Sequence, residues 1–267
     1  MTKALSIRHV TTYRYNDPVP FGLQQVRLTP KQNGGQTIRD WSISVDGGKV
    51  ELSYDDPHMN HVTLISFEPG TTEVTITCEG TVIVEDTHGI VGNHSGFVPG
   101  WLYKQPTPLT KIGPGVRALS NRTEGETGSL AWLHGLSANI LEMVEYRAGE
   151  SDTGTTAEEA VATGYGVCQD HAHIFIACCR HAGLAARYVS GYLMMDDRTH
   201  QNATHAWAEV LVDGLGWVGF DVSNGMSPDS RYVRVATGLD YADAAPISGT
   251  RLGTAGEVLS VQLQVQQ

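Results

Sequence analysis

The fold of this chain is decided by the stretch Gly164-Tyr165-Gly166-Val167-Cys168-Gln169-Asp170-His171-Ala172-His173, in which two glycines and a cysteine precede an apolar run. After Cys168, small or apolar side chains recur with the spacing of one helix face: Ala172, Phe175, Cys179 and Ala182. Gly183 ends the pattern, as a glycine commonly does just after a helix. We therefore predict a helix with Cys168 in its first turn. Unpaired N–H groups and the helix dipole favour an anion there, which makes a cysteine a better nucleophile.

A second pattern, about 35 residues further on, supplies a base for this thiol. Residues 204–210 alternate like a strand and carry His205, and residues 216–221 are typical of its hairpin partner. Cysteine at a helix start, histidine on one strand and aspartate on the next are the parts of a catalytic triad. We predict Cys168 as the nucleophile, His205 as the base and Asp221 as the residue that orients the imidazole.

Four segments of this half of the chain resemble the transglutaminase-like superfamily, whose members share the catalytic logic of papain. In chain order they are Gly166-Val167-Cys168-Gln169-Asp170, Ala186-Arg187-Tyr188-Val189-Ser190-Gly191-Tyr192, His205-Ala206-Trp207-Ala208-Glu209 and Gly219-Phe220-Asp221-Val222-Ser223-Asn224. The N-terminal half is similar to the β domain that precedes this core in many bacterial members, in residues 8–15, 27–30 and 92–93. Residues 240–246 fit the same pattern, so the resemblance covers nearly the whole chain.

The resemblance implies a bacterial cysteine peptidase that uses a Cys168–His205–Asp221 triad. Three further side chains are expected to support the site or its oxyanion: Gln169, Trp207 and Asn224. The backbone N–H of Cys168 is the oxyanion donor expected at a helix start, with Gln169 as a second donor. The chain departs from the family pattern at His171, where relatives more commonly carry an apolar aromatic residue, and at Val222, where relatives often carry proline. We expect His171 to tune or obstruct the cleft.

The fold class predicted from these patterns and the resemblance is α+β. An N-terminal antiparallel β-sandwich-like domain is expected over residues 1–100, and a papain-like, transglutaminase-like α+β core over residues 101–230. In this core the helix that bears the cysteine packs on an antiparallel sheet. Residues 231–267 are expected to add strands that complete the fold.

Local signals support this organisation. Residues with a period of two mark strands up to about residue 87. They include the set Ile7, His9, Thr11, Tyr13 and Tyr15, and the inward-pointing set Val74, Ile76, Cys78, Val82 and Val84. Asp46-Gly47-Gly48 predicts a hairpin turn, with Val50, Leu52 and Tyr54 on the strand that follows. Residues 88–115 are interpreted as a connector. Ser129 and Thr156 are expected to cap the helices before the cysteine.

The proposed triad sets a condition on the hairpin. Opposite residues of a regular antiparallel hairpin share a face, so His205 and Asp221 share one only if the loop has an odd number of residues. A two-residue turn at Gly214 and Leu215 would turn Asp221 away. We therefore predict a three-residue loop with a glycine at positive φ, or a bulge before Asp221.

Composition excludes several functions. The formal charge is −11, from 18 basic and 29 acidic residues, and no Lys/Arg cluster suits nucleic acid. No apolar run has the length of a signal peptide or a membrane span, so we expect a cytoplasmic protein without a membrane partner. Four cysteines, with Cys178 next to Cys179, do not form a disulfide framework. We expect a peptide or protein substrate and no cofactor; homo-oligomerisation is left open.

A metal site and a second reactive thiol are the alternatives to this interpretation. His171 and His173 diverge on a helix, and His58 with His61 lacks a third ligand nearby in sequence, so no metal is expected. The other cysteines (Cys78, Cys178 and Cys179) are interpreted as packing residues.

The predicted reaction is acyl transfer through a Cys168 thioester. Water as the acceptor makes a cysteine peptidase or amidase, which we favour because no calcium loop or extra domain is evident in the sequence. An amine as the acceptor would make a transglutaminase cross-linker. A third alternative is a binding module with a vestigial site.

Overall fold

The structure is a computed structural model that describes residues 1–267 and has an α+β fold. Its strands are β1 (Thr2–Val19), β2 (Phe21–Val26), β3 (Gln36–Asp46), β4 (Gly48–Asp55), β5 (His61–Phe67), β6 (Thr71–Glu85), β7 (Ile90–Gly92), β8 (Glu145–Tyr146), β9 (Tyr165–Gly166), β10 (Ala186–Leu193), β11 (His200–Gln201), β12 (His205–Val212), β13 (Gly216–Phe220), β14 (Tyr232–Gly238), β15 (Ile247–Leu252) and β16 (Glu257–Gln266). Its helices are α1 (Pro114–Arg122), α2 (Leu130–Met143), α3 (Ala157–Thr163), α4 (Cys168–His181) and α5 (Tyr241–Ala244), with a 3-10 turn at Leu102–Lys104. None of these helices has the length and apolar character that a bilayer crossing requires.

Two antiparallel sheets make up most of the N-terminal half, in the orders β11-β16-β1-β6-β3 and β15-β2-β5-β4. The residues predicted to share one face of the first strand are all buried, and so is the predicted inward-pointing set of residues 74–84. Both sheets contribute to one hydrophobic core, which confirms the sandwich-like arrangement. Tyr192, Val233 and Val235 from β10 and β14 complete this core, so the C-terminal half packs directly on the N-terminal sheets.

A five-stranded sheet of order β14-β10-β12-β13-β7, here called the central sheet, organises the C-terminal half. The helix α4 packs against β12 and β10, and α1, α2 and α3 contact its other sides. Every residue from Gln169 to Arg180 is therefore buried, which is more than the one apolar face that the sequence pattern showed. This burial fixes α4, and with it the position of Cys168.

The helix boundaries follow the predicted signals. The helix α4 begins at Cys168, and Gly183 just after it has a left-handed φ of +81°. Ser129 caps α2, and Thr156 begins α3 with both hydrogen bonds of a capping box. These boundaries are confirmed because each depends on local backbone chemistry.

The predicted hairpin at Asp46-Gly47-Gly48 is wrong. Strand β3 pairs with β6 and β4 pairs with β5, so the chain changes sheets at Gly47, whose φ is +75°. Strand β4 is the edge of its sheet, and Val50, Leu52 and Tyr54 are exposed. The alternation of apolar residues in this segment therefore indicates a strand but does not indicate a buried face.

The predicted connector at residues 88–115 also contains structure. Its residues 90–92 form β7, which joins the edge of the central sheet by pairing with β13, and α1 begins at Pro114. The C-terminal strands are divided in a similar way. Strand β14 belongs to the central sheet, whereas β15 and β16 pair with β2 and β1 of the N-terminal sheets. Residues after 231 thus tie the two halves together.

The turn between β12 and β13 has the predicted odd length. Val212 pairs with Gly216, which leaves residues 213–215 as a three-residue loop. Opposite residues then have numbers of the same parity, so His205 and Asp221 lie on the same face of the central sheet.

Substitution of two glycines at this turn tests how closely strand β7 approaches it. Gly214 and Gly216 have φ values of +79° and +81°. A Cβ on Gly216 would lie 2.2 Å from the carbonyl oxygen of Gly92 in β7, whereas nothing lies within 4 Å of a Cβ on Gly214. We expect Gly214→Ala to lower the free energy of unfolding by about 1 kcal/mol through backbone strain alone. Gly216→Ala should lower it further because β7 must move, and urea unfolding measures both. Equal losses would contradict the close approach of β7.

Candidate active site

The side chain of Asp170 stabilises the start of α4 through hydrogen bonds. Its Oδ2 accepts the backbone N–H of Val167 at 2.8 Å and the hydroxyl of Ser151 at 2.6 Å. Gly166 leaves room for this side chain, because a Cβ on Gly166 would lie 2.6 Å from the Cβ of Asp170. The backbone N–H of Cys168 has no hydrogen-bond partner in the protein. As a first-turn donor, it is available to a negatively charged oxygen beside the thiol.

His205 and Asp221 are joined by a direct hydrogen bond. His205 begins β12 and Asp221 directly follows β13, and Nε2 of the imidazole lies 2.6 Å from Oδ2 of the carboxylate. Because a carboxylate oxygen accepts, Nε2 carries the proton and donates it. Nδ1 is the nitrogen left for the thiol of Cys168, which lies beside the ring. The structure thus brings these three side chains together.

The carboxylate of Asp221 accepts two further hydrogen bonds at Oδ2. The donors are Nδ2 of Asn224 at 2.6 Å and the hydroxyl of Tyr232 at 2.8 Å. Oδ1 accepts the backbone N–H of Asn224 at 3.3 Å. Asn224 therefore supports the carboxylate. Tyr232 was missed, because its strand pattern indicates a buried position and gives no sign of the partner of its hydroxyl.

These contacts set the charges of the buried pair. Burial lowers the pKa of His205, but the hydrogen bond to Asp221 and the nearby thiol of Cys168 outweigh burial and raise this pKa to about 10. Burial raises the pKa of Asp221, but the bonds from its three donors hold it below its usual value. Burial and the charge of Asp221 raise the pKa of Tyr232, so the phenol remains a donor. The pair is therefore an imidazolium and a carboxylate at neutral pH.

Trp207 shares a face of β12 with His205, and the centroids of their rings are 6.2 Å apart. The ring of Tyr232 packs edge-on against the indole at 5.5 Å. Gly191 pairs with His205 across the strands, and a Cβ there would lie 2.6 Å from the indole. Trp207 is thus wedged against both aromatic rings that hydrogen-bond Asp221.

His171 is held inside the protein by two hydrogen bonds. The side chain is fully buried, with Nε2 2.9 Å from the carbonyl oxygen of Val144 and Nδ1 2.8 Å from Oγ of Ser223. A carbonyl only accepts, so Nε2 donates to it, and the neutral ring accepts the hydroxyl proton of Ser223 at Nδ1. Burial lowers the pKa of His171, which favours this neutral form. The ring ties α4 to the loop that follows Asp221.

In this structure the side-chain amide of Gln169 is bound to another partner and does not act as the second oxyanion donor. Its Nε2 donates to the carbonyl oxygen of Thr153 at 3.3 Å, and the side chain is largely buried. The oxyanion role of Gln169 stays a prediction, whereas the Cys168 N–H is already free.

The histidines considered as metal ligands have other partners. His58 lies 3.3 Å from Asp243, and His61 lies 3.2 Å from Asp55. His173 accepts the backbone N–H of Tyr241. No three His, Cys, Asp or Glu side chains are grouped so that they could hold a metal ion.

The sequence matches two protein families. The family described as "Transglutaminase-like superfamily" matches residues 117–222, and "Bacterial transglutaminase-like N-terminal region" matches residues 5–83. An uncharacterized protein of Mycobacterium tuberculosis is 30% identical, over 93% of this chain and 87% of its own. The chain belongs to the transglutaminase-like superfamily. The resemblance recognised in the motifs is therefore confirmed.

Two further proteins are similar over almost the whole chain. An uncharacterized protein of Mycobacterium leprae is 26% identical over 98% of both chains. A solved structure from Cytophaga hutchinsonii, described as a "putative cysteine protease", has a TM-score of 0.75 at 21% identity, over 100% of this chain and 93% of its own. The shared fold thus includes the N-terminal sheets as well as the transglutaminase-like core.

Alkylation of the four cysteines separates an activated thiol from structural ones. Burial raises the pKa of Cys78 and Cys178 to about 12 and that of Cys179 well above its usual value. Cys168 is only partly buried. We expect a limiting dose of iodoacetamide to modify Cys168 first. His205→Ala should slow this reaction, because the imidazolium that favours a thiolate is lost.

Peptide mass mapping after brief labelling reads this result. His181→Ala is the matched control, since His181 is exposed at the far end of α4 and makes no side-chain hydrogen bond. Equal labelling of all four thiols, or a preference for Cys178, would show that Cys168 is not activated.

Proposed function

We propose that this protein is a cysteine peptidase or amidase that cleaves its substrate through a thioester on Cys168. The proposal is carried by the hydrogen bond of His205 to Asp221, which occupies Nε2 and leaves Nδ1 of the imidazole for the thiol. The position of Cys168 at a helix N-terminus supports the same assignment. Membership of the transglutaminase-like superfamily supports the same chemistry.

The proposed steps follow from the groups around the thiol. The Cys168 thiolate attacks the carbonyl carbon, and the free N–H of Cys168 stabilises the oxyanion that forms. The His205 imidazolium gives its Nδ1 proton to the departing amine as the C–N bond breaks. Water then attacks the thioester while His205 takes the water's proton, and the carbon–sulfur bond breaks to return the thiolate. Asp221 holds the imidazole and stabilises its charged form throughout.

Water is the acceptor that the site favours. An enzyme that selects an amine must keep water away from its thioester, because water is present in great excess. Cys168 is partly exposed, and its backbone N–H is open. We therefore infer that hydrolysis is the main outcome. Digestion of a peptide library with and without an added primary amine tests this inference. New termini without amine incorporation are expected, and predominant incorporation would contradict hydrolysis.

The triad is tested by substitution of each member. We expect Cys168→Ala and His205→Ala to abolish amide cleavage, because each removes a group that forms or breaks bonds. Asp221→Asn should keep the fold and lower kcat/KM by roughly 100-fold or more, since Asn cannot stabilise the imidazolium.

Asp213→Asn is the matched control for Asp221→Asn. Asp213 lies in the loop of the same hairpin, and its side chain makes no hydrogen bond. Asp229 is less suitable as a control, because its carboxylate is paired with Arg231 at 2.8 Å. Cleavage by Asp213→Asn should equal that of the natural chain. Full activity of Cys168→Ala would overturn the proposal at its root.

The pH profile tests the charge of His205. The proton on this imidazolium is needed for the leaving amine, and its pKa is raised to about 10. We expect kcat/KM to hold through neutral pH and to fall as the pH rises through this value. In Asp221→Asn the fall should move to lower pH, because the charged form loses its partner. An unchanged alkaline limb would show that Asp221 does not set this charge.

A further inference from the structure

A pocket of about 170 Å³ lies where the N-terminal sheets meet the start of strand β12. One part of its lining is a face of the paired strands β1 and β16, on which Tyr13 lies opposite Leu259. A second part is the segment 202–204, which leads from β11 into β12. Tyr241 and Ile247 supply a third part. Both halves of the chain therefore line this pocket.

The pocket lies beside the proposed catalytic residues. Thr204 lines it and directly precedes His205, so the Cα atoms of these two residues are about 3.8 Å apart. Tyr241 is fixed to α4, because its backbone N–H donates to Nε2 of His173 at 3.2 Å. His173 follows Cys168 by five residues, which is about 7.5 Å along the helix axis. An extended peptide advances roughly 3.3 Å per residue, so a side chain near the cleaved bond is within reach of the pocket.

A buried tyrosine ring connects the pocket with the thiol. The ring of Tyr188 packs edge-on against that of Tyr241, with centroids 6.2 Å apart. Burial raises the pKa of Tyr188 well above its usual value, and the charge of the Cys168 thiolate raises it further. Tyr188 therefore lies near both the lining residue Tyr241 and the nucleophile.

The lining of the pocket is neutral, since none of its residues is Asp, Glu, Lys or Arg. Burial lowers the pKa of the lining residue His9 to about 4, so this imidazole is uncharged at neutral pH. Its two nitrogens already hydrogen-bond the hydroxyl of Tyr192 at 3.1 Å and that of Thr11 at 2.9 Å. A charged side chain that entered the pocket would lose hydration without gaining an ion pair.

The carboxylates closest in sequence to the lining residues have partners of their own. Glu257 on β16 is paired with Arg251 at 3.3 Å. Asp240 caps α5, where its side chain accepts the backbone N–H of Ala242 at 2.8 Å. Neither group is therefore an unpaired charge that would attract a cationic side chain.

We propose that this pocket receives an apolar side chain of a peptide substrate, at a residue within two positions of the cleaved bond. The proposal rests on the peptidase or amidase function proposed above. Drug-sized ligands occupy sites of about 300–1,000 Å³, so a pocket of this smaller volume suits a single side chain. The N-terminal half then contributes to the choice of substrate, because strands β1 and β16 form part of the lining.

Sequencing of the new termini from a peptide-library digest measures this preference. We expect apolar residues to exceed charged ones at least tenfold at one position within two residues of the cleaved bond. Cleavage without such a preference would overturn the pocket proposal and leave the proposed function intact. Absence of any cleavage by the natural chain would overturn both.

Substitution of Leu259 by charged residues locates the preference. Leu259 lines the pocket and is 54% exposed, so a charge there remains in contact with water in the free protein. Leu259→Lys should make acidic side chains about tenfold more frequent at the preferred position, and Leu259→Glu should do the same for basic ones. A loss of packing alone cannot shift the preference in two opposite directions.

Val258→Lys and Val258→Glu are the matched controls. Val258 precedes Leu259 on β16 and is 67% exposed, but it does not line the pocket, because successive residues of a strand face opposite sides. Both control variants should keep the preference of the natural chain. The same preference in the Leu259 variants as in the Val258 variants would overturn the proposal.

Discussion

The 2.6 Å hydrogen bond between His205 and Asp221 is the contact on which the arrangement of the site depends. It requires an odd loop between β12 and β13, and that loop requires glycine at positive φ. It also requires partners that keep the carboxylate charged in a buried place, and Asn224 and Tyr232 supply them. The hydroxyl of Tyr232 comes from β14, on the far side of β10 from β12. Most of the central sheet is therefore involved in placing one imidazole.

A second set of buried charges fixes the same strand further along. Glu209 on β12 binds Arg187 on β10 and Arg234 on β14, so a single carboxylate links three adjacent strands. Removing one partner of such a buried pair typically costs about 3–5 kcal/mol, because the remaining charge is left uncompensated. We infer that this cluster fixes the register of β12, on which the position of His205 depends.

The predictions from the sequence were correct where a structural feature depends on neighbouring residues or on whether a hairpin loop has an odd number of residues. The start of α4 at Cys168, the capping box at Thr156 and the odd hairpin loop were all predicted, because each follows from nearby residues. The predictions failed where pairing is decided at long range. The glycine turn at residues 46–48 passes between two sheets instead of closing a hairpin, since β3 and β4 each have a distant partner. The helix α1 was missed although Pro114 occupies its first position, which is a recognised start signal.

The supporting residues of the site show the same division. Asn224 was foreseen because it belongs to the motif that carries Asp221. The hydroxyl of Tyr232 and the bond between His171 and Ser223 join segments that are distant in sequence, and no periodicity indicates either contact. Residues that act through a partner in another element can be assigned only when the elements are seen together.

The central claim is that Cys168 forms a thioester. Intact-mass spectrometry after brief mixing with p-nitrophenyl acetate, followed by peptide mapping, measures this directly. The account predicts one acetyl group on Cys168 that neutral hydroxylamine removes, and no adduct in Cys168→Ala. An adduct on another residue, or an equal acetyl load on Cys168→Ala, would contradict it.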